Sequence, residues 1–230
     1  MVSNEVVVDV WGDFAMFTRP ESKVERTTYS VPTPSAARGI LNAIYNKPVE
    51  FHYEISRIEV MNPIRQLSVK KNEIQTVADV SKAQRLEDYA IYSDECRTQR
   101  MSTYLRNVYY RIYAKIILHD TRNPDVVLDR VVDQFNRRVE FGKCFYQPYF
   151  GTKECLCNFG RADFSKTPLD VSMPLGMMLY DVFDLYNQEP LNTDKHFLNL
   201  NTLVSFFYAE LKHGVVTVPA WDSQDIYVRR

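Results

Sequence analysis

Hydrophobic positions change period several times along the chain, and each change predicts an element. Val6, Val7, Val8 and Val10 crowd the run from Glu5 to Trp11, a short β-branched stretch that reads as a first strand. Polar, irregular sequence follows from Gly12 to Val31. Thr33-Pro34 then supplies an N-cap hydroxyl and a proline at the first helical position. Ala36, Ala37, Ile40, Leu41 and Ile44 recur at helical spacing, and Pro48 closes the helix. Phe51, Tyr53, Ile55, Ile58 and Val60 alternate except for a slip near Ser56 and Arg57, which predicts a second strand with a bulge. Mixed polar sequence then runs from Pro63 to Met101. Within it Ile64 to Ile74 reads as a strand or as one arm of a hairpin. The stretch 63–103 as a whole reads as an insertion that leaves the core; loops this long are usually functional or disordered.

Strand character returns from Tyr104 to Leu118. Val108, Tyr110, Ile112, Ala114 and Ile116 share one face; Tyr109, Arg111, Tyr113 and Lys115 share the other. Asn123-Pro124 opens a second helix through Val127, Leu128, Val131, Val132 and Phe135, with Gly142 placed to end it. Phe145 to Cys157 reads as mostly extended, broken by Pro148 and Gly151. The order is β-α-β-β-α-β, the α+β ferredoxin-like pattern that RNA-recognition domains share. Past Phe159, Met177 to Leu185 predicts a strand, Thr202 to Lys212 a helix, and Gly214 to Val218 a last strand. The expected division is a ferredoxin-like domain over 1–159 and a small β-rich region over 160–230 packed on it.

Composition narrows the function classes. Among 230 residues, 28 Lys and Arg face 29 Asp and Glu, so a generic polybasic coat is excluded but a local basic face is not. With 45% hydrophobic and 25% charged residues the chain is of ordinary globular composition. Only 7 glycines occur, and no phosphate-cradling or dinucleotide-binding glycine loop is among them. Met1 to Phe14 lacks a basic start, and Asp9 interrupts its apolar run, so it does not read as a signal peptide. No run approaches the ~18 apolar residues of a membrane helix. Cys96, Cys144, Cys155 and Cys157 are expected to be reduced thiols of a cytoplasmic protein. Cys155-x-Cys157 has no second ligand pair at zinc-finger spacing, so no metal and no other cofactor is assigned. No Gly-x-Ser-x-Gly or His-Glu-x-x-His motif occurs.

The chemistry that stands out is basic and aromatic. From Arg97 to Lys115 there is no acidic residue; Arg97, Arg100, Arg106, Arg111 and Lys115 lie among Tyr104, Tyr109, Tyr110 and Tyr113. Cations hold phosphates and aromatic faces stack unpaired bases, so this strand reads either as a single-strand RNA surface or as a solvated face whose tyrosines rest on the core. A second group comprises Arg130, Arg137, Arg138, Lys143 and Lys153 with Phe141, Phe145, Tyr146, Tyr149 and Phe150. Arg137 and Arg138 also fall in the last turn of a helix, where cations favour the dipole without any ligand.

Several segments together carry a resemblance. They are Trp11-Gly12-Asp13-Phe14-Ala15-Met16-Phe17-Thr18-Arg19-Pro20, then Tyr29-Ser30-Val31-Pro32-Thr33-Pro34-Ser35-Ala36-Ala37-Arg38-Gly39-Ile40-Leu41, and Ala43-Ile44-Tyr45-Asn46-Lys47-Pro48. Arg106-Asn107-Val108-Tyr109-Tyr110, Phe150-Gly151-Thr152-Lys153-Glu154-Cys155, Leu175-Gly176-Met177-Met178 and His213-Gly214-Val215-Val216 extend it to nearly the whole chain. They resemble the type I-C member of the CRISPR-associated family-five proteins, within the RAMP superfamily. The resemblance implies metal-independent cleavage of precursor CRISPR RNA at the base of the repeat hairpin. It also implies retention of the 5′ handle, and assembly with the family-seven backbone and family-eight large subunits. It implies a catalytic tyrosine at the end of the first helix, matched by Tyr45. An adjacent Lys-His pair at the start of the second helix falls here on Arg130 and Val131. Arginine keeps a phosphate-stabilising charge, but valine cannot move a proton. His119, at the end of the third strand, is the alternative proton carrier if the following loop folds back. The RNA contacts expected are Arg19, Lys23, Arg26, Arg38, Lys47, Arg106, Tyr109, Arg111, Tyr113, Lys115, Arg137, Arg138 and Lys143.

Overall fold

The computed structural model describes residues 5–22, 24–85, 88–119, 124–182 and 204–229. Its elements are β1 (Glu5–Ala15), α1 (Pro34–Ile44), β2 (Phe51–Val60), β3 (Gln66–Ile74), α2 (Val80–Arg85), α3 (Ser93–Cys96), β4 (Arg97–Leu118), α4 (Pro124–Glu140), β5 (Asn158–Gly160), β6 (Met173–Asp181), β7 (Val204–Lys212), β8 (Val215–Thr217) and β9 (Ile226–Arg229). The strands form one curled antiparallel sheet in the order β5-β1-β4-β2-β8-β7-β6, with β3 also on β4 and β9 also on β7.

Strand β4 is the spine. It pairs with β1 from Glu5↔Lys115 to Ala15↔Leu105, and with β2 from Phe51↔Leu118 to Val60↔Tyr110. The expected bulge in β2 is present as a register shift between Ile55 and Arg57. Alternation sends Val6, Val8 and Val10 of β1 and Val108, Tyr110, Ile112, Ala114 and Ile116 of β4 to the buried helix side. There α1 contributes Ala37, Ile40, Leu41 and Ile44, and α4 contributes Val131, Phe135 and Val139. Burial of each large side chain stabilises by about 1.5–3 kcal/mol. Thr33 caps α1, its Oγ1 accepting from Ala36 N at 3.1 Å, with Pro34 in the first turn. Gly142, at φ +61, ends α4: its N–H reaches Val139 O and Lys143 N–H reaches Arg138 O, a left-handed C-terminal cap.

Within 63–103 the hairpin alternative is the one present: β3 pairs with the first half of β4 from Gln66↔Leu105 to Ile74↔Arg97. Other sequence expectations are corrected. Phe145 to Cys157 is irregular, turning back on itself at the isolated bridge Tyr149↔Leu156, and the strand beside β1 is the short β5 that follows. The stretch ending at Lys212 is the strand β7, not a helix: Ser205, Phe207, Ala209 and Leu211 are buried while Tyr208, Glu210 and Lys212 are exposed, a period of two. Lys23, Asn123, Thr202 and the end of the run Met177–Leu185 lie outside the described residues.

Candidate functional site

The carboxyl end of α1 is where the proposed catalytic residues gather. Tyr45 is the extended C-cap residue (φ −149, ψ 118), its N–H bonded to Leu41 O. Its buried ring lies 5.5 Å from the ring of Phe51 and 5.1 Å from the guanidinium of Arg138. Arg138, on the buried flank of α4, donates from Nη1 to Ile44 O at 3.0 Å, and Tyr53 donates its hydroxyl to Tyr45 O at 2.8 Å. The chain then turns through residues 47–50. Lys47 Nζ lies 2.7 Å from Glu50 Oε1, and Arg130 Nη2 lies 3.9 Å from Glu50 Oε2. The Lys47 ammonium is held above its usual range, mainly by its hydrogen bond to Glu50. Glu50 thus links the turn after Tyr45 to the exposed Arg130. Among the described residues, the enclosed atoms Glu50 Oε2 and Arg138 Nε have no hydrogen-bond partner.

His119 reaches the same turn from its place just past the end of β4. Its N–H donates to Glu50 O at 2.9 Å, its Nδ1 lies 3.2 Å from Val49 O, and its Nε2 lies 2.9 Å from Nδ1 of His52. The two imidazoles stack with centroids 5.2 Å apart. Burial, helped by His119 and Arg38, pushes His52 down to about 4. Val131 is 1% exposed and packs in the core, whereas Arg130 beside it faces outward.

Cations continue along the outer side of α4. Arg130 and Arg137, two turns apart, line an open depression of about 660 Å³ together with Asp133, Gln134 and Glu140. Arg137 bonds Gln134 Oε1 at 2.7 Å, and Lys143 sits 6.0 Å from the ring of Phe141 just past the helix.

The β4 face expected to read RNA is placed differently. Arg111 is 2% exposed and Asp9 is fully buried. Arg111 Nε and Nη2 donate to the two Asp9 oxygens at 2.7 and 3.1 Å, and Glu59 Oε2 lies 3.5 Å from Arg111 Nη1. Residues 163–166 lie over the pair: Asp163 N–H donates to Asp9, Arg111 donates to Asp163 O, and its guanidinium is 4.9 Å from the ring of Phe164. Tyr109 donates its hydroxyl to Asp9 at 2.9 Å and its ring stacks on Trp11. Tyr113 is buried beneath Arg57, whose guanidinium is 3.7 Å from the ring centroid. Arg111 and Tyr113 are therefore buried members of a sheet-face network, not open contacts. Lys115, half-buried, sits in register between Glu5 and Glu54.

The remaining expected contacts divide likewise. Arg38 makes a two-pronged pair with the buried Asp181 at 2.7 and 2.8 Å, which ties α1 to β6. Arg26 forks onto Glu73 of β3 at 2.7 and 3.1 Å. Arg19 pairs with Glu21 at 3.1 Å and covers the ring of Tyr29, and Arg106 is exposed. Glu50 and His52 were missed by sequence reasoning, since an acid and a histidine beside a strand start carry no signature of their own. Asp9 had a signal, because a carboxylate among four valines in a strand needs a buried cation opposite it.

Comparison with known proteins follows the same line. The family model described as CRISPR-associated protein (Cas_Cas5), of the Cas5d kind, matches residues 5–219. The chain belongs to this family of type I-C CRISPR-associated proteins. A relative from Mannheimia succiniciproducens, named CRISPR pre-crRNA endoribonuclease Cas5d, is 35% identical over 239 residues, covering 98% of this chain and 99% of that one. A relative of the same name from Thermus thermophilus is 34% identical over 227 residues, covering 96% and 93%. A crystal structure of a CRISPR-associated protein superposes with a TM-score of 0.67 at 24% identity, covering 100% of this chain and 98% of that one. A functionally uncharacterized protein from Streptococcus mutans superposes at 0.59 and 20% identity, covering 99% and 98%. The two superpositions bear out the mixed α/β fold, and the family match bears out the resemblance read from Trp11 to Pro48.

Proposed function

We propose that this family member is a pre-crRNA endoribonuclease that binds the CRISPR repeat hairpin, cuts it at one site without metal, and stays on the 5′ handle. Cleavage of this kind needs the 2′-hydroxyl deprotonated, the leaving 5′-oxygen protonated and the phosphate charge stabilised. One observation carries the reading: Tyr45, Lys47, Arg130, Arg138 and His119 gather at the end of α1 and the 47–50 turn, where Glu50 Oε2 and Arg138 Nε lack hydrogen-bond partners among the described residues. Lys47, Arg130 and Arg138 supply positive charge for the phosphate, and Tyr45 orients or protonates the leaving oxygen. Arg137 and Lys143 extend the track along α4 for the flanking strand, with Arg106 and Arg19 as outlying contacts. The relatives' name, shared at about a third identity over nearly the full length, supports the activity.

The same reading takes β1-α1-β2-β4-α4-β5 as a ferredoxin-like unit over 1–159, supported by the sheet order β5-β1-β4-β2 and by both helices lying on one face. Strands β6 to β9 extend its sheet through β8. The partners are crRNA and the family-seven and family-eight subunits, in the cytoplasm. Among the described residues no helix is long and apolar enough to cross a membrane.

A second reading, a subunit that holds the handle and does not cut, is favoured by two features. Val131 is buried in the core, and both ring nitrogens of His119 are engaged. The test incubates the purified chain with labelled repeat hairpin in excess EDTA, followed on a native and a denaturing gel. One discrete cut supports the nuclease. A tight shift without a cut supports the holder, and no shift refutes both.

A further inference from the structure

A cleft beside the first half of α1 takes no part in the proposed cleavage. It measures about 300 Å³, at the lower end of ligand sites. Phe17, Tyr146 and Tyr149 line it together with the hydroxyl-bearing Thr18, Thr33 and Ser35, and none of its lining residues is Lys, Arg, Asp or Glu. The lining offers a phosphate no cation, and Arg38, whose charge acts on Tyr146, is forked onto Asp181. A flat, neutral group with hydrogen-bonding edges would find aromatic faces and hydroxyls, the combination by which proteins hold unstacked bases.

Gly39 sharpens the argument. It lines the cleft from the middle of α1, where glycine is the least favourable ordinary helix residue. A Cβ built there meets nothing within 4 Å, so the glycine relieves no crowding. What its missing side chain leaves is the space of the cleft. The opposite wall is fixed: Gly151, at φ +79, presses against the backbone of Met16, where a Cβ would lie 2.0 Å from the carbonyl oxygen. Tyr146 is tied to α1 by its N–H to Ala43 O at 3.2 Å, yet its side chain stays nearly half exposed. Six residues of helix separate Gly39 from Tyr45, about 9 Å along the axis, so a strand crossing the cleavage corner reaches the cleft within a short run of nucleotides.

We infer that this cleft receives one unstacked nucleobase of the bound RNA, held against Tyr146 and Tyr149. The inference rests on the RNA-binding reading above. The test is fluorescence-anisotropy titration of the repeat hairpin with its single-stranded flanks, against the full chain and Gly39→Leu. A set of RNAs, each carrying one abasic position, is titrated in parallel. Gly39→Leu is expected to melt at or above the parent temperature and to bind the intact RNA about tenfold more weakly or worse. One abasic position should weaken the parent by a similar factor and leave Gly39→Leu unaffected. Should Gly39→Leu melt below the parent, Tyr146→Ala, which trims a half-exposed ring, carries the same expectation. Parent-like affinity in the folded variant overturns the base cleft while leaving the RNA reading intact, as does an abasic profile identical in both proteins. Failure of the parent to bind any hairpin overturns the RNA reading, and the cleft with it.

Discussion

Arg111→Met separates a buried structural cation from an RNA contact. Asp9 accepts four hydrogen bonds: two from Arg111, one from the Tyr109 hydroxyl and one from Asp163 N–H. Removing Arg111 leaves that carboxylate enclosed with the weaker two, and leaves Glu59, among the described residues, with Arg57 Nε at 3.7 Å as its remaining cation. Breaking a buried pair from one side costs about 3–5 kcal/mol, because the surviving charge stays out of water. With a urea slope near 3 kcal/mol/M, the unfolding midpoint falls by roughly 1–2 M. Adding Asp9→Asn removes the orphaned charge, so the double variant should be less destabilised than the sum of the singles by about 0.5–3 kcal/mol. Below its midpoint, Arg111→Met should bind repeat RNA with the parent's affinity and salt slope. An unchanged urea midpoint, combined with weaker binding and a slope shallower by about 0.7, would make Arg111 a phosphate contact and refute the reasoning.

Other positions give equally direct outcomes. Tyr45→Phe keeps the ring under Arg138 and removes only the hydroxyl; single-turnover cleavage should slow by about 10²-fold or more with binding nearly unchanged, and equal loss of both would make Tyr45 a binding or structural residue. Arg130→Ala and Arg137→Ala should each weaken hairpin binding and reduce the salt slope by about 0.7, checked by titration across salt concentrations. His52 is held neutral in the fold, down to about 4, so between about 6.5 and about 4 the unfolded chain takes up the proton first. Stability is therefore complete above that window and declines as pH falls through it, by about 1–2 kcal/mol for a half-buried imidazole; His52→Gln should flatten the melting temperature over this range. Phe207→Ala should cost about 3–5 kcal/mol and Tyr208→Ala under about 1 kcal/mol in urea unfolding, as inward and outward neighbours on a strand require.

What the sequence made legible was local. The Thr33-Pro34 cap, the bulge beside Ser56 and the two faces of β4 each depend on residues within one or two turns or pleats of each other. The character of β7 was hidden because Phe206 and Tyr208 put aromatic rings on its outer side, which erased the polar half of the alternation. The proposed cleavage corner was legible at Tyr45 and Arg130 but not at Glu50, which links Lys47 to Arg130. The burial of Arg111 and Tyr113 was hidden for a related reason. Cations were counted along β4, where no acid lies nearby in sequence, but Asp9 is 102 residues from Arg111 and arrives through strand pairing. In a chain with 28 cations and 29 acids, the surface field depends on which cations lack an acid across the fold. Arg26, Arg38 and Arg111 are each forked onto a carboxylate, so they contribute little outward charge. Among the described residues, Arg130 lies nearly 4 Å from its paired carboxylate oxygen and Arg137 is bonded to an amide, so both keep theirs. The partner distribution moves the expected RNA track from the sheet to the outer side of α4, even though β4 carries the denser basic sequence.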